Sequence, residues 1–334
     1  MFLLFLEQIF AKHLLDEGHR AFLLDAYLGL PEPLIRLDDV FSLKMQSLDT
    51  WCIPETAPDL ESIKKARTNP SDCFFGPHVL ELCQLADIVF LALHGDVGEN
   101  GKIQAAFDLL GVKYTGSDSF SSALAMDKHI AKKLLKPAGI PVPVGTILGK
   151  NSILPLRDLG FTFPVVVKPC SGGSSIGVHI VINEDSYYTA LENVFRYDDE
   201  VLIESYIRGR EFSVGILDGI ALPPIEIIPK SDFFDYNTKY QTGMTQEICP
   251  ASLDEPISAE MQRLAVLAYE TLGLSVYSRA DFLLDKRQNI FCLEVNTLPG
   301  MTPTSLLPQE AAAADISYNA LCDWIVQKSL ERYK

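Results

Sequence analysis

Two neighbouring stretches of the sequence decide its fold, Ser278-Arg-Ala-Asp-Phe-Leu-Leu-Asp285 and Phe291-Cys-Leu-Glu-Val-Asn296. Both stretches are short and largely apolar, and residues 286–289 between them, Lys-Arg-Gln-Asn, have the composition of a turn. This pattern predicts a β-hairpin with a four-residue loop. The chain continues as Thr297-Leu-Pro-Gly300, so that a glycine follows the second strand closely.

Three polar side chains are expected on one face of this hairpin. Glu294 and Asn296 are two residues apart and point to the same face of their strand, and Asp281 joins them if the hairpin pairs in register. Carboxylate and amide oxygens suit a hard cation such as Mg²⁺. Arg279 adds a fixed positive charge beside Asp281, and the backbone N–H of Gly300 is placed as an oxyanion donor requires.

The alternative interpretation is that each acid is a strand residue that faces water. For either acid alone that interpretation would be preferred. The convergence of two acids, an amide and an arginine within an apolar surround favours a functional site.

The composition is that of a globular protein and argues against one class of function. The chain has 334 residues, of which 48% are hydrophobic and 22% charged, which allows two or three domains with sizeable cores. The net charge of −16, from 28 basic and 44 acidic residues, argues against a nucleic-acid-binding protein, whose footprint would be basic. A few focused lysines still suffice to bind a small anionic ligand.

The seven cysteines are scattered, and no pair has C-x-x-C spacing. Buried free thiols in a reducing cytoplasm are therefore expected rather than a disulfide framework. No run approaches the ~18 apolar residues of a membrane span, and the apolar start Met1-Phe-Leu-Leu-Phe-Leu6 lacks the basic region of a signal peptide. The sequence thus predicts a cytoplasmic protein with no membrane partner.

A strand–loop–helix–strand unit is predicted between residues 87 and 116. An apolar strand over residues 87–93 leads into a Gly-rich loop, a helix over Lys102–Leu110 and a second strand that ends at Gly116. His94 then lies at the carboxyl end of a strand, where open α/β sheets bind ligands. A lone histidine is more often structural, but the position beside the Gly-rich loop favours a functional role.

The segment before this unit predicts a helix over residues 2–17, ended by Gly18, and a buried strand over residues 21–25. A doubly wound sheet normally opens instead with a strand and a Gly-rich turn. The first strand of the N-terminal sheet is therefore expected to be absent.

A Gly/Ser-rich loop follows a buried strand that delivers Lys168. It has the sequence Ser171-Gly-Gly-Ser-Ser-Ile-Gly177 and leads into another strand over residues 179–182. Small residues allow backbone N–H groups to close over phosphates, and the lysine supplies positive charge. The G-K-[ST] order of a P-loop is missing, so a mobile phosphate cover between two strands is favoured over a P-loop and over a tight hairpin.

Two acids and one polar segment complete the candidate nucleotide site. Glu204 ends one strand and Glu211 begins the next, and carboxylates beside extended backbone suit an adenine amine and ribose hydroxyls. Residues 233–243 are polar, aromatic and rich in turn formers, which indicates a surface lid with Lys239 and Tyr240 as its working groups.

Together these residues resemble the ATP-grasp fold and, within it, the D-alanine–D-alanine ligase family. Lys128, on a predicted helix, would by itself be interpreted as solvated, but it falls within one of the matching stretches. These stretches are His94-Gly-x-x-Gly-Glu-x-Gly101, Met126-Asp-Lys128, Gly173-Ser-Ser-x-Gly177, Tyr236-x-x-Lys-Tyr240 and Glu294-x-Asn-Thr-x-Pro-Gly-Met301. They are collinear, and the resemblance runs from about residue 10 to residue 330.

The resemblance implies an α/β (α+β) protein of three domains and, in solution, a homodimer. Residues 1–116 would form an N-terminal Rossmann-like domain that lacks its first strand. Residues 117–206 would form the central ATP-grasp domain, and residues 207–334 the C-terminal ATP-grasp domain with the metal site.

The activity implied by the resemblance is the ATP-dependent ligation of two D-alanines. ATP phosphorylates the carboxylate of one D-alanine, and the amine of the second attacks the acyl phosphate. The products are D-alanyl-D-alanine for peptidoglycan precursors, ADP and phosphate. The implied cofactors are ATP and Mg²⁺ or Mn²⁺, as a pair of ions.

The resemblance also assigns roles to individual residues. The groups that would neutralise the phosphates are Lys128, Lys168 and Lys239, and those that would hold the ions are Asp281, Glu294 and Asn296. The adenosine would be bound by Glu204, the backbone of Ile207, Glu211 and Phe233. The oxyanion of the tetrahedral intermediate would be stabilised by Arg279 and the N–H of Gly300. Ser174 and Tyr240 would orient the lid over the first substrate. Ser305 would hold the carboxylate of the second D-alanine, and His94 would lie near both amino acids.

The sequence departs from the family pattern at two places. The family begins with a strand and a Gly/Ser-rich loop whose Glu binds the ammonium of the first D-alanine, and neither is found here. Either the native start lies upstream, or the enzyme is impaired, or another acid substitutes. The lid also carries Phe234 where the family often has Tyr, so that one hydroxyl is lost.

Three hypotheses follow from these observations. The first is an active D-alanine–D-alanine ligase. The second is a non-catalytic ATP-binding or regulatory remnant, motivated by the missing loop. The third is another ATP-grasp carboxylate–amine ligase, against which Lys239, Tyr240 and the stretch before Met301 argue.

Overall fold

The computed structural model describes residue 14 and residues 16–30, 60–67, 72–93, 95–173, 177–229 and 245–334. Its α-helices are α1 (Leu60–Ala66), α2 (Val79–Leu85), α3 (Asp96–Glu99), α4 (Lys102–Leu110), α5 (Ser119–Met126), α6 (Lys128–Leu135), α7 (Glu184–Val194), α8 (Glu255–Thr271), α9 (Leu306–Ala313) and α10 (Tyr318–Glu331). Its strands are β1 (Gly145–Gly149), β2 (Val165–Pro169), β3 (His179–Val181), β4 (Glu200–Ser205), β5 (Gly209–Leu217), β6 (Ile220–Ala221), β7 (Ile225–Pro229), β8 (Thr245–Ile248), β9 (Tyr277–Asp285) and β10 (Ile290–Asn296). Among the helices of these ranges, none has the length and apolarity needed to cross a bilayer.

The predicted hairpin forms one edge of the larger, antiparallel sheet. Strands β10 and β9 pair with each other, the sheet continues through β5, β7 and β8, and β6 pairs with β5. In the hairpin register Glu294 lies opposite Asp281, and Asn296 lies opposite Arg279. The pairing that the sequence required for a convergent site is therefore present.

The loop of this hairpin is closed by one carboxylate. Oδ1 of Asp285 accepts hydrogen bonds from the backbone N–H groups of Arg287 and Asn289, each at 2.8 Å. Gln288 takes the left-handed conformation, with φ of 65°, that lets the chain reverse. The four-residue turn predicted from composition is confirmed.

A second antiparallel sheet has the strand order β1-β4-β2-β3. Strands β2 and β3 flank the Gly/Ser-rich loop, so the predicted strand–loop–strand arrangement is confirmed, while loop residues 174–176 lie outside the description. Lys168 of β2 lies opposite Leu202 of β4, and Glu204 lies opposite Val166. Because alternate residues of a strand share a face, Lys168 and Glu204 project from the same face of this sheet.

The single helix predicted around Lys128 is in fact two helices. Asp127 ends α5 and caps α6, because its Oδ1 accepts hydrogen bonds from the backbone N–H groups of His129 and Ile130, each at 2.9 Å. Such a side-chain cap favours a new helix start over continuation of the preceding helix. Lys128 is consequently the first residue of α6.

The N-terminal strand–loop–helix–strand unit is confirmed only in part. Helix α4 has its predicted bounds, and Gly111 follows it with φ of 67°. The two predicted strands share one parallel bridge, between Val89 and Tyr114, rather than a ladder. Residues 21–25 form no strand with the described part of the chain, and most of the helix predicted over residues 2–17 lies outside it. Residues 21–25 are largely apolar, but a β-strand also requires hydrogen bonds to a neighbouring strand, which an apolar sequence alone does not predict.

Three hydrophobic clusters occupy the interior of the described part of the chain. The first joins Phe107 and Tyr114 to Tyr277 and Leu321, which are distant in sequence. The second packs α8 against β5, β9 and β10, and the third lies between α7 and the four-stranded sheet. Because the first cluster combines residues from both ends of the described chain, the domain boundaries at residues 116 and 206 remain a prediction.

Candidate active site

Asp281 is the buried centre of the hairpin cluster, with 5% of its surface exposed. Arg279 donates to both of its carboxylate oxygens, through Nε at 2.9 Å and Nη2 at 2.8 Å. The hydroxyl of Ser213 donates to Oδ1 at 2.8 Å, and the amide of Asn296 donates to Oδ2 at 3.1 Å. Each oxygen of Asp281 thus accepts two hydrogen bonds, which fixes the carboxylate in place.

Arg279 is kept charged by this arrangement. Burial lowers its pKa, but the neighbouring charge of Asp281 outweighs burial and keeps the pKa above its ordinary value. On the adjacent strand β5, Ser213 lies opposite Asp281 and Gly215 lies opposite Arg279. The guanidinium therefore presents a fixed positive charge on the face of the sheet that carries the acids.

The metal-binding prediction is tested by the donors that the hairpin offers. Asn296 turns its NH₂ group toward Asp281, so its Oδ1 remains an acceptor for a cation. Glu294 is 25% exposed and lies 3.2 Å from the ammonium of Lys128. Two carboxylates and an amide oxygen on one face fit a hard cation, provided that Asp281 exchanges one of its hydrogen bonds for the ion. The described residues contain no cluster of three His, Cys, Asp or Glu side chains arranged for a metal.

Lys128 links the hairpin to the start of the Gly/Ser-rich loop. Its side chain is 10% exposed, donates to the carbonyl of Gly172 at 2.5 Å and lies 3.2 Å from Oε2 of Glu294. Its backbone N–H donates to the carbonyl of Cys170 at 2.9 Å. The lysine is therefore placed between the two elements that the sequence predicts to surround the phosphates.

A buried ion cluster is formed by Lys132, Lys168 and Glu204. Oε1 of Glu204 accepts a hydrogen bond from Lys132, and Oε2 lies 2.7 Å from Nζ of Lys168. The side-chain exposures are 8% for Lys132, 9% for Lys168 and 2% for Glu204. These low exposures mean that the cluster is only weakly screened by water.

The three groups of this cluster have shifted pKa values. Burial raises the pKa of Glu204, but the two ammonium groups outweigh burial and hold the pKa below its usual value. Burial lowers the pKa of Lys168, and the charge of Glu204 reverses that shift, so the pKa is raised. Burial and the charge of Lys168 together lower the pKa of Lys132 to about 8.

The other predicted adenosine ligands follow Glu204 along the chain. Ile207 is half-buried and lies between β4 and β5, outside both ladders. Glu211 lies on β5 opposite Leu283, two residues before Ser213 and on the same face of the sheet. These positions bring Glu211 to the face that carries Asp281, while Glu204 lies on the other sheet.

The loop after the hairpin contains the predicted oxyanion donor and the second carboxylate site. Gly300 is half-buried and lies between β10 and α9. Ser305 precedes α9, and its hydroxyl accepts from the backbone N–H of Thr302 at 3.1 Å and lies 2.6 Å from the Thr302 hydroxyl. The N-terminal N–H groups of a helix favour a carboxylate, and the role expected of Ser305 remains a prediction.

Several predicted site residues lie outside the described part of the chain, in the lid, in the Gly/Ser-rich loop and beside the N-terminal Gly-rich loop. They are His94, Ser174, Phe233, Lys239 and Tyr240. The altered lid residue Phe234 also lies outside it. The roles expected of these side chains remain predictions.

Three charged side chains near the site were given no role in the sequence analysis, although one of them, Glu99, belongs to a matching stretch quoted there. Lys132 follows Lys128 by four residues, a spacing that places both on one side of a helix and was the available signal. Glu99 accepts a hydrogen bond from the backbone N–H of Gly95 at 2.8 Å, and burial raises its pKa to about 7. Glu310 is fully buried, and no local pattern indicates its position near Arg279.

A small pocket opens among these groups. Its lining includes Glu99, Lys128, Gly172, Glu294 and Asn296. A larger cavity of about 470 Å³ lies in the N-terminal region and is lined by none of the predicted site residues. The convergence of charged groups, rather than the larger of these two cavities, therefore marks the candidate site.

Comparisons with known proteins agree on one family. Residues 134–327 match the family model described as D-ala D-ala ligase C-terminus, and residues 38–117 match the model described as D-ala D-ala ligase N-terminus. The D-alanine–D-alanine ligase of Pediococcus pentosaceus is 44% identical over 314 residues, 93% of this chain and 88% of that protein. That of Lacticaseibacillus casei is 42% identical over 319 residues, 95% of this chain and 88% of that protein.

Solved structures extend this similarity to the fold. A D-alanine–D-alanine ligase from Bacillus anthracis is similar with a TM-score of 0.70 and 42% identity, covering 76% of this chain and 83% of that chain. A structure of the ligase from Bacillus anthracis complexed with ATP is similar with a TM-score of 0.68, 41% identity and the same coverage. The VanG D-Ala:D-Ser ligase from Enterococcus faecalis has a TM-score of 0.68 and 34% identity, covering 73% of each chain.

Proposed function

The chain belongs to the D-alanine–D-alanine ligase family, and we propose that it joins two D-alanines into D-alanyl-D-alanine while ATP is cleaved to ADP and phosphate. Its α/β fold is that of the ATP-grasp ligases it is similar to. The observation that carries the proposal is the hairpin register. It gathers Asp281, Glu294 and Asn296 on one face, with Lys128 beside Glu294 at 3.2 Å.

The first step transfers the γ-phosphoryl group of ATP to the carboxylate of one D-alanine. A bond forms between a carboxylate oxygen and the γ-phosphorus, the bond from that phosphorus to the ADP oxygen breaks, and ADP leaves. The transition state spreads negative charge over the phosphoryl oxygens. Lys128 and Lys168, each at most a tenth exposed, supply positive charge in a setting that is weakly screened by water.

In the second step the amine of the other D-alanine attacks the acyl phosphate. The amine has given up one proton to water, its nitrogen bonds to the carbonyl carbon, and the bond from that carbon to the phosphate oxygen breaks. The second proton of the nitrogen passes to the departing phosphate as the amide forms. Arg279, held by Asp281, and the N–H of Gly300 are the groups that stabilise the negative oxygen of the tetrahedral intermediate.

The residues that would hold Mg²⁺ or Mn²⁺, as a pair of ions, are Asp281, Glu294 and Asn296. When bound, the cation neutralises the phosphate oxygens and orients them for in-line transfer. The side chains themselves fit this role because two carboxylates and one amide oxygen share a face of the hairpin.

Phosphate release tests the proposal directly. The full chain, incubated with ATP and Mg²⁺, is expected to release phosphate and form a dipeptide with D-alanine and not with L-alanine. D-serine and D-lactate are added as second substrates, because one solved relative is a D-Ala:D-Ser ligase. ATP binding with no D-alanine-dependent release would rule out the ligase and favour a non-catalytic ATP-binding homologue.

Two substitutions test the phosphate and metal groups. Lys168→Met and Glu294→Gln are each expected to lower kcat by about 100-fold or more, because each removes a charge that acts on the transferring phosphoryl group. The matched controls are Lys133→Met and Glu270→Gln, which alter exposed side chains of the same types. Circular dichroism melting curves establish that all four variants fold, and normal turnover in either test variant would refute the assigned role.

The cellular setting and assembly are part of the same proposal. The dipeptide would supply peptidoglycan precursors in the cytoplasm, where ATP is available. A homodimer is proposed as well, supported by Leu109 and Phe120, which are 90% and 71% exposed on the neighbouring helices α4 and α5. Light scattering of the full chain checks the assembly, and a monomer at micromolar concentration would contradict it.

A further inference from the structure

The ion cluster of Lys132, Lys168 and Glu204 holds two positive charges against one negative charge. Each lysine contacts a different oxygen of Glu204. One ammonium group would suffice to neutralise the acid, so charge balance alone does not explain the second. Gly145 allows the acid to pack tightly, since a Cβ at that position would lie 3.0 Å from Cγ of Glu204.

The two lysines of the cluster lie on different elements. Lys168 is on β2, shortly before the Gly/Ser-rich loop, whereas Lys132 is on α6. Lys132 follows Lys128 by one helical turn, about 5.4 Å along the axis and on the same side of the helix. Helix α6 therefore sends Lys128 to Glu294 of the hairpin and Lys132 to Glu204 of the four-stranded sheet.

We propose that Lys132 is a positioning residue that orients Glu204 toward the base of the bound nucleotide. This inference rests on the proposed use of ATP. When the nucleotide enters, Lys168 leaves Oε2 of Glu204 and pairs with a phosphate oxygen. Lys132 keeps Oε1, so that Oε2 is presented to a donor on the base.

The geometry gives the site a preference between purines. The amino group of adenine is a hydrogen-bond donor, which a carboxylate accepts. Guanine carries an acceptor oxygen at the equivalent place, and a fixed carboxylate repels it. A Glu204 that Lys132 no longer orients loses part of this discrimination.

Calorimetric titration of the full chain with ATP and with GTP, both with Mg²⁺ and without D-alanine, tests the proposal. Lys132→Met is expected to weaken ATP binding about tenfold or more, as the loss of one charge-assisted hydrogen bond predicts, and to change GTP binding by less than about threefold. Lys133→Met, at the exposed neighbouring position, should match the wild type. Lys132→Arg should recover most of the ATP-to-GTP affinity ratio because it keeps the charge and the donors.

A merely structural role for Lys132 predicts something else. The melting temperature would fall, and the affinities for ATP and GTP would fall together. An unchanged affinity ratio in Lys132→Met therefore overturns the proposal, whatever happens to stability. Should that variant not fold, Lys132→Gln, which keeps an N–H donor without the charge, replaces it and must still lower the ratio.

Failure of this inference is distinguishable from failure of the proposed function. A wild-type chain that binds ATP but releases no phosphate with D-alanine contradicts the ligase reaction and leaves the affinity test intact. A chain that ligates D-alanine while Lys132→Met keeps the wild-type ratio contradicts only the role of Lys132.

Discussion

The carboxyl group of Glu310 lies fully buried within the fold, and no side chain in the described ranges donates a hydrogen bond to either of its oxygens. Burial raises its pKa well above the ordinary value of 4.5, and the positive charge of Arg279 offsets only part of that rise. In the folded chain Glu310 stays protonated at pH values where the unfolded chain would have lost the proton.

This difference predicts how stability depends on pH. Above about pH 4.5 the folded state binds more protons at Glu310 than the unfolded state, so the contribution of this residue to stability falls as the pH rises. Glu310→Gln removes this titration, so its free energy of unfolding should improve relative to the wild type as the pH rises above about 4.5. Urea unfolding of both proteins at several pH values measures this difference in the free energy of unfolding.

The control for this prediction is Glu270→Gln, an exposed change on α8 that should follow the wild type at every pH. A difference between Glu310→Gln and the wild type that stays constant with pH would show that Glu310 is already ionised in the folded chain.

Among the elements, strand β5 connects the site to helix α9. Gly215 lies opposite Arg279, and a Cβ at that position would come within 2.4 Å of Leu307 and 2.5 Å of Glu310. Helix α9 therefore packs directly on the backbone of β5. The placement of Ser305, which precedes α9, depends on this contact.

Gly215→Ala is accordingly expected to lower the free energy of unfolding by about 1–3 kcal/mol, because the added methyl group overpacks the contact. Gly149→Ala on β1 is the matched control, since a Cβ there meets nothing within 4 Å. It should leave stability unchanged or raise it slightly. Chemical denaturation compares the two, and equal losses would mean that the contact with α9 can relax.

Elements differed in how far the sequence could predict them, for a physical reason. The β9–β10 hairpin was predicted from strand alternation and turn composition, and α4 from its closing glycine; all of these signals are local in sequence. The hairpin has its predicted pairing, and α4 has its predicted bounds. The strand predicted over residues 87–93 depended on a distant partner and is reduced to one bridge at Val89. The break at Asp127 is a side-chain cap, which apolar periodicity does not reveal.

The candidate site shows the same limit. The convergence of Asp281, Glu294 and Asn296 followed from strand alternation within one hairpin. The contact between Lys132 of α6 and Glu204 of β4 joins residues 72 positions apart in sequence, so two distant elements had to meet in space before it could form. The Lys132–Glu204 contact is therefore known only from the three-dimensional structure, because no local sequence pattern predicts it.

At the scale of the whole molecule, the C-terminal residues are tied to the N-terminal region. The hydroxyl of Tyr333 accepts from the backbone N–H of Tyr114 at 3.0 Å and donates to its carbonyl at 3.2 Å. Arg332 lies over both rings, 5.5 Å from that of Tyr114 and 5.4 Å from that of Tyr333, and also donates to the carbonyl of Gly116. These contacts fasten the end of α10 to the first hydrophobic cluster.

Tyr333→Phe should lower the free energy of unfolding by about 1–3 kcal/mol, because the backbone N–H of buried Tyr114 loses its partner. Amide exchange at Tyr114 should also become faster. Tyr197→Phe, at a side chain that is 65% exposed, is the control and should leave both quantities unchanged. Unaltered amide protection in Tyr333→Phe would show that another group takes over the contact.

Lys128 and Lys132 are separated by four positions on α6, and each reaches a different acid. Every residue of an α-helix adds a rotation of about 100°. Inserting or deleting a single residue between the two lysines would swing one of them roughly a quarter of the way around the axis, with all side-chain chemistry retained. The contacts of both lysines with their acids therefore depend on the number of residues between Lys128 and Lys132 rather than on the identity of those residues.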